Sequence, residues 1–400
     1  MKEAPFQPMS IAAVQLKNRI IRSATHEGMA EKDGCPTKKL RELYVRLAKG
    51  GAGAIITGYA GIQQNGKSSL HRMLMIDQDR FVGPYKAITE GVHEFGTPIF
   101  LQIAHCGSQT RSKTTGVPTK APSAIRDRFF SEDMPTALTE GEIEEIIDSF
   151  VKAIDRAKRA GFDGVQLHAA HGYLLSEFLS PYSNHRQDQW GGTTENRFRI
   201  IREIYDRARR VVGDYPILAK LNAYDNRKGG MRVDEAVRVA RLLEESGCAA
   251  IEVSCGTTED GLFMTRGAKL PVEAVFAYTF KYRSLPSWQK SLMRPFASLI
   301  SRPAKPLANY NVEAAQAIKA NVGIPVIVVG GIATLGDIRQ IVGEGKADAI
   351  SMCRPFIIEP NIVKMFQEGK QDRSKCIQCN FCVIAAETGP LRCYHGKLKE

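Results

Sequence analysis

Short apolar runs alternate along this chain with longer stretches of helical spacing, and the alternation holds from residue 18 to residue 352. The runs at 18–24, 54–58, 98–103, 164–168, 216–221, 249–254, 325–329 and 347–352 predict eight strands. Between them, 38–50, 81–95, 139–160, 195–212, 233–246, 312–320 and 335–343 place apolar residues three and four apart, as one face of a helix requires. Leu40, Leu43, Tyr44 and Leu47 show the spacing, and Gly50-Gly51 stops it. Thr139, three residues before Glu142, predicts a capping box. The strands are too apolar for a sheet with one wet face. Eight strand–helix units in about 350 residues therefore predict an α/β fold, a (β/α)₈ TIM barrel with its active site at the strands' carboxyl ends. A doubly wound sheet is the alternative, weakened because no G-x-G-x-x-G follows the first strand.

Two segments fall outside the repeat. Residues 261–308, after the sixth strand, carry Arg266, Lys269, Lys281, Arg283, Lys290, Arg294, Arg302 and Lys305 against the single acid Glu273, with Trp288 among several aromatics. They read as an inserted lid, either a solvated excursion or a surface for an acidic substrate, partner or membrane. Residues 371–400 form a cysteine-rich tail on a barrel of residues 1–370.

Composition narrows the class of protein. A hydrophobic content of 43% and a charged content of 24% describe a soluble chain with a large core. No run of roughly 18 apolar residues occurs, and the opening Met1-Lys2-Glu3-Ala4-Pro5 lacks the apolar part of a signal peptide. A cytoplasmic protein with no transmembrane segment is expected. The net charge of +12 would suit nucleic acid, but no Lys/Arg block interleaved with aromatics appears, so an anionic substrate or cofactor explains it more simply. Cys35, Cys106, Cys248, Cys255 and Cys353 are scattered like free thiols in a reducing compartment, whereas Cys376, Cys379, Cys382 and Cys393 crowd the C-terminus.

Candidate chemistry concentrates at 164–173, where Val165 and Leu167 alternate with polar neighbours and a loop is expected from His168. His168, His171 and Tyr173 would gather at the strand's carboxyl end, offering up to three N–H or O–H donors to an oxyanion or carbonyl oxygen. Three satisfied structural side chains are the plain alternative, and metal ligation by the His pair another, though no acidic third ligand stands at helix spacing. Gly330-Gly331 and Cys353-Arg354-Pro355 follow the seventh and eighth strands, where barrels commonly bind phosphate. Gln102, whose amide both donates and accepts, and Lys220, a cation ending an apolar strand, could wall the same pocket. A buried Lys needs an anionic partner, which an electron-rich cofactor ring would supply.

Five blocks carry a family resemblance: Asn18-Arg19-Ile20-Ile21, Leu101-Gln102-Ile103-Ala104-His105, Ala121-Pro122-Ser123-Ala124-Ile125, His168-Ala169-Ala170-His171-Gly172-Tyr173 and Gly191-Gly192-Thr193-Thr194-Glu195-Asn196-Arg197. In order and content they resemble the signature blocks of the old yellow enzymes, FMN-dependent NAD(P)H:flavin oxidoreductases on a (β/α)₈ barrel. The resemblance implies FMN over the barrel mouth, with Ala24, Thr25 and His26 near its ring, Tyr59 and Gln102 beside the pyrimidine and Lys220 near N1. Gly330, Gly331, Cys353 and Arg354 would surround the phosphate. It further implies reduction of an activated C=C bond of enone or enoyl type. His168 and His171 would bind the carbonyl oxygen, and Tyr173 would protonate Cα after flavin N5 delivers hydride to Cβ. His26 stands where relatives usually have Thr or Cys, and Lys220 replaces the usual Arg, so a shifted flavin potential is expected.

The tail spacing C-x₂-C-x₂-C-x₁₀-C suits a [4Fe–4S] cluster or tetrahedral zinc. It is similar to the cluster motif of the iron–sulfur members of this family, such as 2,4-dienoyl-CoA reductase and trimethylamine dehydrogenase, which favours the cluster. Electrons would come directly from NAD(P)H or from a separate redox partner protein through the cluster. A small unsaturated substrate, no nucleic acid and a homo-oligomer complete the expectation. A flavin amine dehydrogenase or demethylase of the trimethylamine type and a non-catalytic electron-transfer subunit are the competing readings.

Overall fold

The computed structural model describes residues 3–127, 133–260, 263–267, 270–300 and 304–397. Lys269 and Arg302 of the basic run lie outside them. Eight parallel strands, β1 (Ile20–Arg22), β2 (Ala54–Ile56), β3 (Ile99–Ala104), β4 (Gly164–Ala169), β5 (Ile217–Asn222), β6 (Ile251–Ser254), β7 (Val326–Val329) and β8 (Ala349–Met352), pair in chain order. β8 returns to β1, which closes the barrel. Around it run α1 (Lys38–Lys49), α2 (Val82–His93), α3 (Glu140–Arg159), α4 (Thr194–Val212), α5 (Val233–Glu245), α6 (Val312–Lys319) and α7 (Leu335–Gly343). The eighth unit ends in two short helices, α8 (Arg354–Ile358) and α9 (Ile362–Gln367), too brief to show a helical period in the sequence. Thr139 and Glu142 form the expected capping box at the start of α3.

Strand periodicity sorts side chains into an outer shell and an inner column. Outward positions such as Leu101, Leu167, Leu221, Val253 and Val328 join the apolar faces of the helices in one continuous core. Inward positions near the strands' amino ends are apolar too: Ile21, Ala54, Ile56, Phe100, Leu218, Ala250, Ile327 and Ala349 pack on Ile11 and Leu16. Those last two belong to a hairpin, Met9–Ile11 with Val14–Leu16, that plugs this end. Two residues further along, the inward positions turn polar, with Ser23, Gln102, Gln166, Lys220, Glu252 and Ser351 all buried. The column thus changes from oil to hydrogen bonds just below the barrel mouth.

β4 keeps its pairing with β5 through Ala169, so His168 stands on the strand beside Lys220 instead of opening the loop. The insert leaves after β6 and contains two helices, Val272–Tyr278 and Ser287–Ile300. The first packs against the tail helix Phe381–Ala385. The Phe280 N–H donates to Glu387 at 2.9 Å, and the Thr388 hydroxyl donates to the Tyr278 carbonyl at 2.7 Å. The tail in turn is tied to the barrel loops, Ser374 N–H to the Ala333 carbonyl at 2.8 Å and Leu391 N–H to the Glu27 carbonyl at 2.7 Å. Among the described residues no helix is long and apolar enough to cross a membrane.

Candidate active site

A cavity of about 270 Å³ opens at the strands' carboxyl ends. Its wall brings together Ala24, Thr25, His26, Tyr59, Gln102, His168, His171, Tyr173, Lys220, Gly330, Gly331, Cys353 and Arg354, drawn from loops far apart in sequence. Insert residues Met264, Thr265 and Thr279 and tail residues Cys376 and Cys382 complete it. The wall includes both a cluster of rings and the Gly330–Gly331 and Cys353–Arg354 loops.

Within the ring cluster, His168 lies 4.7 Å from Tyr173 and 5.1 Å from His171, centroid to centroid, and Tyr59 lies 5.2 Å from Tyr173. His171 adopts a left-handed backbone, φ +64°, uncommon for a residue with a Cβ. Its N–H donates to Asn222 Oδ1 at 3.2 Å, its carbonyl accepts from Gln109 Nε2 at 2.8 Å, and its Nε2 hydrogen-bonds Ser254 Oγ at 2.7 Å. His168 Nδ1 is buried and has no partner among the described residues. The Tyr173 hydroxyl donates to that of Tyr59 at 3.1 Å, which donates to Ser68 Oγ at 3.3 Å. Nearby, His26 Nε2 donates to the His71 carbonyl at 2.7 Å.

Burial sets the protonation of these groups. It pushes His171 down to about 3, with Lys220 adding to the shift, and pushes His168 well below the ordinary imidazole value, assisted by His171 and Lys220. Both rings are neutral at pH 7, each keeping one N–H donor. Burial also raises Tyr173 well above 10, so its phenol holds its proton. A histidine lowered on folding binds fewer protons than in the unfolded chain. Its stabilisation is therefore present above the unfolded value of about 6.5 and is lost as pH falls toward the folded one. The urea midpoint should drop between pH 6.5 and pH 4, and more gently in His171→Gln than in the wild type; parallel slopes would remove His171 from this account.

Lys220 has a partner that the sequence reading did not foresee. Its Nζ lies 3.1 Å from Glu252 Oε2 and donates to Ser23 Oγ at 2.9 Å. Lys220 is 2% exposed and Glu252 fully buried, so the pair is compensated within the protein and needs no cofactor charge to be stable. Ser23 and Ser351 hydroxyls donate to Glu252 Oε1 at 2.5 and 2.6 Å, and Gln166 Nε2 to Oε2 at 2.8 Å. Gln166 Oε1 accepts from Gln102 Nε2 at 2.7 Å, extending the network to the cavity wall. Burial by itself would raise the Glu252 carboxyl, but Lys220 and the three donors outweigh it and hold the group below the ordinary glutamate value. The signal was available: Glu252 is an acid between Ile251 and Val253 in an apolar strand. Ser254, the partner of His171, carried none.

The four tail cysteines, Cys376, Cys379, Cys382 and Cys393, line a second, small cavity of about 30 Å³ with Arg354, Asn380 and His395. Arg354 Nη1 donates to Asn380 Oδ1 at 2.6 Å and to the Arg266 carbonyl at 2.8 Å. Asn380 Nδ2 donates to the Thr265 carbonyl at 2.6 Å. The guanidinium thus joins barrel, insert and cysteine segment where the two cavities meet.

The closed barrel thus sets neutral imidazoles, a protonated phenol and a buried cation at its mouth, and its class is that of the NADH:flavin oxidoreductases. Residues 5–260 match the NADH:flavin oxidoreductase / NADH oxidase family, and the chain belongs to that family of FMN proteins. It is 34% identical over 95% of its length to the NADH oxidase of Thermoanaerobacter brockii, covering 53% of that protein. It is 32% identical to the NADPH dehydrogenase of Geobacillus thermodenitrificans, covering 90% of this chain and 92% of the relative. An old yellow enzyme homologue from Zymomonas mobilis superposes with a TM-score of 0.75 at 27% identity, covering 94% of this chain and 96% of that one. The chain spans about half the length of several curated relatives it matches.

Proposed function

We propose that this chain uses FMN and NAD(P)H to reduce the activated C=C bond of enone- or enoyl-type substrates. The observation that carries the reading is the pair of neutral histidines, one with an uncommitted nitrogen, beside a protonated tyrosine on one cavity wall. The cavity suits FMN. Gln102 and Lys220 line it, and the backbone of Gly330–Gly331, which has no side chain and adopts φ values of +145° and +73°, can approach a phosphate. FMN bound there supplies the hydride-transfer chemistry. His168 and His171 donate to the substrate carbonyl oxygen and bind it more strongly as enolate charge grows during reduction. Tyr173 gives a proton to Cα, its O–H turning from the Tyr59 oxygen to the substrate. NADH or NADPH oxidation assayed without oxygen against 2-cyclohexenone and an enoyl-CoA, and trimethylamine oxidation assayed separately by reduction of an added ferrocenium acceptor, test the reading. Turnover with trimethylamine alone would replace it with the amine dehydrogenase reading, and bound FMN without turnover would leave an electron-transfer subunit.

For residues 371–400 we propose a [4Fe–4S] segment held by Cys376, Cys379, Cys382 and Cys393. Four thiols around one cavity supply the ligand set. Tetrahedral zinc is the alternative occupant of the same four thiols. Cys379→Ala should lose iron and sulfide and retain FMN when purified without oxygen. Wild-type protein containing zinc and no sulfide would refute the assignment.

A further inference from the structure

The insert helix Ser287–Ile300 presents an apolar stripe to solvent. Trp288, Leu292 and Phe296 recur every four residues and are 62%, 64% and 63% exposed, with Met293 beside them. Four-residue spacing puts all three on one face, and Trp190, the other tryptophan, is buried, so such exposure is unusual for this chain. The same segment is basic: Lys281, Arg283, Arg294 and Lys305 are exposed and Lys290 half-buried. The segment's one acid, Glu273, is already bound by Arg294 at 2.9 and 3.0 Å.

We propose that this helix docks the protein on an anionic lipid surface, lying in the headgroup plane with Trp288, Leu292 and Phe296 inserted. The chemistry favours lipid over a protein partner. Lysine is depleted in protein interfaces, whereas a short helix with aromatic and leucine residues on one face and Lys/Arg on the other is the form that binds acidic bilayers. Juxtamembrane cations each strengthen that attraction. Docking also has a consequence for the site, because the base of the insert contributes Met264, Thr265 and Thr279 to the cavity wall. It would bring the cavity close to apolar molecules dissolved in the bilayer.

Co-sedimentation of the purified full chain with vesicles tests this. The protein should pellet with phosphatidylcholine–phosphatidylglycerol vesicles about tenfold more than with phosphatidylcholine alone, and less as salt rises. Trp288 emission should shift to the blue on binding. The W288S/L292S/F296S variant should lose about tenfold of the binding and keep wild-type FMN content, and Lys281→Glu with Lys290→Glu should remove the preference for anionic lipid. Three results would overturn the proposal: wild-type protein left in the supernatant, equal pelleting of the serine variant, or a wild-type dimer that the serine variant makes monomeric without any vesicle binding. The last would assign the stripe to a second copy of this chain.

Discussion

Tyr173→Phe should slow alkene reduction roughly 10²-fold or more while FMN reduction by NAD(P)H proceeds near the wild-type rate, the scale set by removal of a general acid. The substitution deletes one oxygen and keeps the ring, so the packing against His168 and Tyr59 survives. The Tyr173 hydroxyl donates to Tyr59, leaving the Tyr59 oxygen with one acceptor position unfilled, a small cost beside the loss of a proton source. Burial keeps the phenol protonated across the neutral range, so the wild-type reductive step on the alkene should show no tyrosine ionisation between pH 6 and pH 9. Stopped-flow measurement of the two half-reactions separates the effects. Unchanged alkene reduction in the variant would take the proton-donor role from Tyr173.

The second large effect is expected at Glu252. Removing one member of a fully buried ion pair leaves the other charge uncompensated, which costs about 3–5 kcal/mol, and Glu252→Ala also orphans hydroxyls of Ser23 and Ser351 and an amide of Gln166. Urea unfolding should show that loss in Glu252→Ala. Adding Lys220→Met to Glu252→Gln should recover much of the stability of the single variant, because an uncharged pair of similar bulk avoids the desolvation penalty. A Glu252→Ala protein within about 1 kcal/mol of wild type would show that the pair is not desolvated. The pH dependence has a defined sign. A carboxyl lowered on folding stabilises the protein above its unfolded value of about 4.3, and the contribution disappears as pH falls through the lower folded value.

The barrel was legible because each strand and each long helix announces itself by its own period, and the count of eight follows from those periods alone. That these residues share one cavity wall was legible for a different reason: Gly330–Gly331, Cys353–Arg354 and His168–Tyr173 sit at strand ends, and in a barrel all strand ends share one mouth. Glu252 stood out as an acid in an apolar strand, but its pairing did not, because only register sets it beside Lys220. His168 was placed in a loop because apolar alternation stops there, although backbone pairing to Lys220 does not need an apolar side chain. The helix at Ser287–Ile300 was read only as part of a basic lid, since its charges hide the four-residue recurrence of Trp288, Leu292 and Phe296.

Local pattern, which acts within a few residues, thus determined the elements, their order, the fold class and the identity of the chemically capable side chains. Closure of the barrel decided the rest. Only when β8 pairs with β1 does the inward column become dry enough to force Lys220 onto Glu252, push His168 and His171 to the neutral form and hold the Tyr173 proton. Those are desolvation effects, and desolvation depends on everything packed around a group, which no stretch of sequence specifies by itself.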